Sequence, residues 1–468
     1  MVRFGTRLLP HGFALGIALL AGSASAQPAD IVRARQLLAE ARTVAEKDPD
    51  HGPGTAMVAE VAGAQARAGD RQAALATAAA VRISWGWKAA AKGFADAGDV
   101  DAALDFAQRI VGDDMLSKVL QVNLEREDTL REIALRRARR GDVKGALRTI
   151  REIGFAPMAA HAYAALAEAQ ARAGDKAEAR RTLALAESAA GQAQPNPLAL
   201  IWQSPAYDEI GKVHWRFGDR TAALAAFDKG LTVARLTPEG GRDCRIAFNA
   251  ADRAEAGDVA GALRVLQEVL EPRQMPTAVE VARAGRGLAE AGQHDRALAF
   301  TAMASDDPRV NAGAELGGVY LRKGDAARAA QIFERVIAAA EKSHPLIAQE
   351  VVRVQARDGD PAGALRAAAR LVRPTRNVKN DLTNDYIYGA LATGQAEAGD
   401  AEAAWRTVAL IAGYPPQPEM WRALGRVEGR RGKVDAALAR APSHERRRAA
   451  LMIGLAEGLV ERADGRQP

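Results

Sequence analysis

Small apolar residues fall at fixed distances around a recurring glycine: Gly69, Gly98, Gly141, Gly174, Gly218, Gly257, Gly292, Gly324, Gly359, Gly399 and Gly432. Five residues after each of these eleven glycines stands an alanine, from Ala74 and Ala103 to Ala404 and Ala437. Seven residues before it stands Ala or Gly in ten of the eleven units, with Val352 the departure. Nine residues after it the chain often offers a larger apolar group, as at Ile150, Leu183, Phe227, Leu266, Phe333 and Val408. Nine of the eleven glycines are followed by Asp, the exceptions being Gln293 and Lys433. Glycine adopts the left-handed backbone that stops a helix. Aspartate accepts from the free amides of the next helix and favours its dipole. Each unit therefore predicts a helix, a tight turn and a second helix. The small positions let the pair approach closely, and the larger groups fill the space between neighbouring hairpins. Spacings between the glycines run from 29 to 44 residues, around the periods of helical-hairpin arrays.

This pattern resembles the tetratricopeptide repeat family over residues of about 50 to 450. The clearest copy is "GGVYLRKGDAARAAQIFERVI" (317–337), with Gly317, Tyr320, Gly324, Ala329 and Phe333 at matching places. The resemblance implies an all-α, right-handed superhelical solenoid of about eleven antiparallel hairpins with a long concave binding face. The aromatic expected four residues before the turn glycine is instead Gln65, Arg137, Gln170, Gln355 or Gln395 in five units. Long spacings mark irregularities: an extended first helix at 125–141, a Pro-rich connector at 191–209, a polar loop at 373–389 and a break at 413–420. The expected organisation is a leader at 1–26, a capping helix at 27–52, the array at 53–450, and a C-terminal helix with a fraying tail at 451–468. The cap serves the exposed end that a solenoid otherwise presents.

The leader follows from its own pattern. Arg3 and Arg7 precede the apolar run "GFALGIALLAG", and Ala24, Ser25 and Ala26 follow it. That order is a secretory signal peptide, with an apolar run too short to span a bilayer. Cleavage after Ala26 would leave Gln27 first and place the protein in the periplasm or outside the cell. No later stretch is apolar enough to cross a membrane. The formal charge of +6 falls to +4 (6 − 2, for the two lost arginines), which is no nucleic-acid signature. Hydrophobic residues make up 48% of the chain but aromatics only 5%, the balance of helices packed on small side chains.

Candidate chemistry is sparse. Seven histidines are scattered singly, and none shows the spacing of a zinc helix. "GRRGKV" (429–434) lacks the full phosphate-loop pattern, and "AGRGLAEAG" (284–292) has no preceding strand. Cys244, the single cysteine, has Arg242 and Arg245 beside it, which suits either a lowered thiol pKa or a tolerated helix thiol. Basic runs at 135–148 and 444–452 suit an anionic partner or a solvated helix face. Trp85 and Trp87 suit a partner anchor or a plug between hairpins. No catalytic residue, cofactor site or metal ligand is assigned, and no cofactor is expected.

The remaining reading is a non-enzymatic scaffold for a protein or peptide, acidic in character, with no nucleic-acid partner. Its rival is an accessory to envelope polysaccharide or peptidoglycan assembly. Two residues before the turn glycine lies Arg in seven units: Arg67, Arg139, Arg172, Arg216, Arg322, Arg357 and Arg430. In the resembled family such late first-helix positions lie on or near the concave face, which nominates Arg67, Arg139, Arg172 and Arg216 as partner-binding residues. The competing account is a cation complementing the helix dipole.

Overall fold

The computed structural model describes residues 28–47, 56–81, 84–112, 114–192, 196–269, 285–289, 292–295, 297, 306–342, 348–372, 383–411 and 418–465. These residues form a solenoid of α-helical hairpins with no strand among them. The leader, Gln27, residues 373–382 of the polar loop, residues 412–417 of the Pro-rich break and residues 466–468 lie outside the described residues.

The Gly-Asp turn sets each hairpin. All eleven turn glycines have a left-handed backbone, with φ from 68° at Gly69 to 109° at Gly359. Asp70 accepts from the Ala73 amide at 3.0 Å. Asp99, Asp142, Asp175, Asp219, Asp258, Asp325, Asp360 and Asp400 each cap the amide three residues on in the same way. The aspartate's own amide closes the preceding helix, as Asp70 does on the Gln65 carbonyl at 2.9 Å. The alanines five residues after glycine are buried throughout, none more than 1% exposed. Where glycine replaces alanine seven residues before the turn, at Gly211 and Gly317, an added Cβ would overlap the rings of Phe227 and Phe333. The larger apolar residues thus fill the inside of their own hairpins.

The polar residues found in place of the family's aromatic have their own logic. Gln395 accepts from Thr407 Oγ1 at 2.7 Å. Arg137 donates to Thr149 Oγ1 at 2.9 Å and to the Gly145 carbonyl. Gln65 with Thr77 and Gln170 with Thr182 share the same twelve-residue spacing, and all four are buried. In the Gln395 and Arg137 units a hydrogen bond between the two helices stands in place of a ring.

Two irregular spacings resolve differently from expectation. The surplus before Gly141 is a separate short helix, Met115–Leu120, ahead of helix Leu124–Arg139. Gln121, with φ of 53°, ends the first, and Asn123 caps the second by accepting from Arg126 at 3.0 Å. Further on, a 3₁₀ turn at Pro197–Ala199 leads into helix Leu200–Arg216. Trp87 plugs inward, 5.8 Å from the Phe106 ring, while Trp85 stays half exposed.

First helices of successive hairpins touch one another along the chain, whereas second helices meet little. An array packed more closely on one side bends toward that side, so the first helices form an inner wall. Continuity holds across the less described stretch. Arg286 reaches Glu255 at 3.3 Å, and Lys323 reaches the Ala289 carbonyl at 2.9 Å.

The bend brings the chain ends together. Helix Glu445–Ala463 packs on Pro418–Arg430, on Pro28–Glu46 and on Ala56–Arg67. Gly465, at φ 74°, ends it as the turn glycines end other first helices. The N-terminal helix has second-helix register: Asp30, then Ala34 four residues on and Leu38 eight on, all buried. Those are the intervals that separate Asp70 from Ala74 and Asp142 from Ile150. Helix Pro28–Glu46, expected to cover one free end, therefore completes a twelfth hairpin whose first helix is the C-terminal one. Arg462 makes two 2.9 Å bonds to the Asp30 carboxylate. The tail expected to fray is thus anchored through residue 462, within the helix. Gly425 and Gly429 face Gly454 and Gly458 so closely that a Cβ on any of the four would overlap the opposite backbone.

Leucine at position 179 or 297 is expected to lower stability by about 1–3 kcal/mol through overpacking. Ala177→Leu, at an exposed site, should leave the midpoint near wild type. Urea unfolding followed by circular dichroism checks all three variants.

Candidate partner-binding surface

Polar residues of the first helices recur two, six, and nine or ten positions before the turn glycine in several units, a spacing that keeps them on one side of a helix. The position two before glycine is charged in all eleven units: the seven arginines together with Asp96, Glu255, Glu290 and Glu397.

These charges bridge from hairpin to hairpin. Lys92 meets Glu132 at 2.5 Å, Glu132 meets Arg136 at 3.0 Å, and Arg136 meets Asp96 at 2.8 Å. Lys212 contacts Glu209, Asp252 and Glu255 at 2.6, 3.0 and 3.6 Å. Arg353 spans to Glu397 at 2.8 Å. At the closure Arg422 bonds both Glu60, at 3.0 Å, and Glu457, which also accepts from Arg67. The wall is therefore a lattice of alternating charge.

Among the recesses that open on it, two hold the nominated arginines. One, about 540 Å³, lies at the closure between Arg67, Asp96, Arg422, Arg426 and Glu457. The other, about 700 Å³, lies between helices Leu124–Arg139, Ala156–Arg172 and Leu200–Arg216. Arg140 lines both, so the surface runs on from one to the other. The second recess gathers Arg139, Arg172 and Arg216, three of the four nominated residues; Arg67 belongs to the first. Arg172 and Arg216 both bond the carboxylate of Glu168. Arg139 is exposed and makes no ion pair among the described residues. The arginines were legible in the sequence. Their carboxylate partners were missed, although Glu60, Glu132, Glu168 and Glu209 all sit six or nine residues before a turn glycine.

Electrostatics fix the protonation of the floor. Burial lowers the pKa of His161 to about 4, against the pull of Glu209, so the imidazole is neutral at pH 7. Burial works against the Glu209 carboxylate, but Lys212 and His161 outweigh it and hold it at about 2. Behind this layer Asp208 is fully buried, and burial and Asp252 push its pKa well above the usual carboxylate range. Asn249, Lys212 and Arg253 oppose that shift only in part.

Other candidates fall elsewhere. His214 pairs with Glu187 at 2.7 Å. Cys244 is half-buried. In the basic run at 135–148, Arg136, Arg137, Arg140 and Arg148 are committed to internal partners. Among the described residues, no cluster of three or more His, Cys, Asp or Glu is placed to hold a metal ion, and no helix is long and apolar enough to cross a membrane.

No family model matches the chain, and no curated protein sequence matches it. Solved structures similar to it are helical-repeat proteins. The pentatricopeptide repeat protein PPR10 from maize is 16% identical, with a TM-score of 0.26, over 95% of this chain and 70% of that one. Yeast Tom70 is 12% identical, with a TM-score of 0.28, over 85% and 94%. A circular tandem repeat protein is 14% identical, with a TM-score of 0.23, over 95% and 99%. These are likenesses of build alone. The chain is an array of α-helical hairpin repeats.

Asp208→Asn is expected to raise the unfolding midpoint at neutral pH. A carboxyl with a raised folded pKa contributes stability that is full below its unfolded value, near about 3.9, and is lost as pH rises toward the folded value. The variant's advantage should therefore shrink as pH falls toward 4. Thermal unfolding at a series of pH values checks the direction.

Proposed function

We propose that the protein is a non-enzymatic binding ring that holds a protein or peptide partner against its inner wall. One observation carries the reading. Three consecutive hairpins converge Arg139, Arg172 and Arg216 on one recess of about 700 Å³. Packing alone calls for small apolar residues at a hairpin crossing, not for guanidinium groups turned inward. The rival reading, a holder of envelope polysaccharide, is less well supported. Sugar grooves stack their ligands on aromatic rings, and neither recess has a Trp, Tyr or Phe among its described lining residues. The leader pattern of Arg3, Arg7, the apolar run and Ala24-Ser25-Ala26 supports export to the periplasm, with Gln27 as the first mature residue. An exported scaffold would meet protein rather than nucleic acid.

In-cell photocrosslinking with mass spectrometry tests both parts at once. A photoreactive residue at position 286 or 353 on the inner wall is expected to give adducts with a defined protein, and one at exposed position 180 on a second helix is not. The intact chain is expected to weigh as residues 27–468. Adducts from position 180 alone would overturn the inner-wall reading. A chain retaining its leader would overturn export.

A further inference from the structure

We infer that Glu168 occupies, within the recess, the place of a carboxylate that the partner supplies, so that the ligand there is an acidic peptide segment carrying at least two Asp or Glu side chains. This rests on the inner-wall reading above and names the chemistry of its site.

The charge balance of the wall singles this place out. Elsewhere along the wall carboxylates equal or outnumber the cations they meet, or, where Arg322 and Arg357 share Asp358, fall short by one. Lys212 faces three carboxylates and Arg353 faces two. Glu457 and Glu461, set among four arginines at the closure, have Glu60 and Asp96 beside them. In the recess, Glu209 is already bound to Lys212, Arg131 to Asp128 at 2.6 Å, and Arg140 to the carbonyls of Ala95 and Asp96. His161 carries no charge at pH 7. What remains is Arg139, Arg172 and Arg216 against Glu168, with Arg140 bound only to uncharged carbonyls, so that arginines outnumber the one carboxylate.

The geometry agrees with the count. Glu168 is only 15% exposed and lies at the base of the recess, between Arg172 on its own helix and Arg216 on the next. Those two arginine side chains are 71% and 45% exposed. Each guanidinium has five N–H donors in a planar fork that suits a carboxylate edge, and one carboxylate shared by two arginines leaves most of them pointing to solvent. A carboxylate arriving from solvent meets donors already oriented by Glu168, and a second one reaches Arg139. Ala138, Ala165 and Ala169 also line the recess, which leaves room for an extended chain. Bases of single-stranded nucleic acid want aromatic faces to stack on, and no Trp, Tyr or Phe lines this place among the described residues. The chemistry therefore favours a peptide over RNA.

The test uses the full mature chain and a fluorescein-labelled hexaglutamate peptide, read by fluorescence anisotropy at low and high salt. Wild type is expected to bind at low salt and release as salt rises. Glu168→Gln, which removes the internal competitor and keeps the shape, is expected to tighten binding by about two- to fivefold, the scale of one exposed charge pair. Arg172→Glu with Arg216→Glu should abolish it. Arg139→Glu, at a residue with no internal ion pair to lose, should weaken it while leaving helicity unchanged. Unchanged or weaker binding by the Glu168→Gln variant would overturn the stand-in role of Glu168. An unlabelled uridine oligonucleotide that displaces the peptide at equal concentration would overturn the peptide class in favour of RNA. Wild type with no affinity for the peptide would overturn this inference and leave the inner-wall crosslinks to judge the broader reading.

Discussion

Helix Glu445–Ala463 lies between Pro418–Arg430 and Pro28–Glu46, and this packing governs what the rest of the array can do. An open solenoid presents an apolar surface at each end and needs a polar cap on both. Here each end is the cap of the other. Leu37, Leu38 and Ala41 from the start of the described chain share one core with Leu451, Leu455 and Leu459 from its end. Because the last hairpin is built from both termini, the array is held at a fixed number of units. Closure also fixes curvature. Each pair of first helices must stand at a set separation, and the small residues that face neighbouring first helices at Gly63, Gly93, Gly287 and Gly394 leave no room for a Cβ.

A closed wall turns its innermost side chains toward one another. Long charged side chains on that face lose part of their water, and an unpaired one is costly there. The wall answers with bridges that run between hairpins, such as Arg136 with Asp96 and Lys212 with Asp252. They tie neighbours laterally and leave most of the surface electrically matched. Against such a background an unmatched group of arginines is a specific feature rather than a general basic character, and the small net charge of the chain gives no hint of it.

The local parts of this structure were legible because they depend on a few residues each. Gly-Asp turns, buried alanines and helix starts follow from backbone and capping chemistry within five residues. Gln395 and Arg137, four residues before their turns, looked like departures from the family, because the partner of each is a threonine twelve residues later on the opposing helix. Pairing such as that of Gln395 with Thr407 becomes visible only once both helices are placed. The short helix Met115–Leu120 was hidden in a spacing that an extended first helix explained equally well. Closure was the least legible feature, since it depends on the sum of small rotations over every unit. Its traces were nonetheless in the chain: Asp30, Ala34 and Leu38 keep second-helix spacing, and "ADG" at 463–465 supplies a further turn glycine. The binding residues were half legible. A column of arginines stands out by type, whereas its carboxylate neighbours are spread over two positions and both acidic residue types.

The account rests most directly on the meeting of the two ends, and one distance tests it. Spin labels at Glu40→Cys and Arg448→Cys, in a Cys244→Ser background, place one probe on an exposed position of each terminal helix. Pulsed electron resonance on labelled protein diluted into excess unlabelled protein reads distances within single chains. A closed ring gives one short, narrow distance distribution that dilution leaves unchanged. A long or broad distribution, or a short one that vanishes on dilution, would mean that the ends do not meet within one chain and would contradict the closed inner wall.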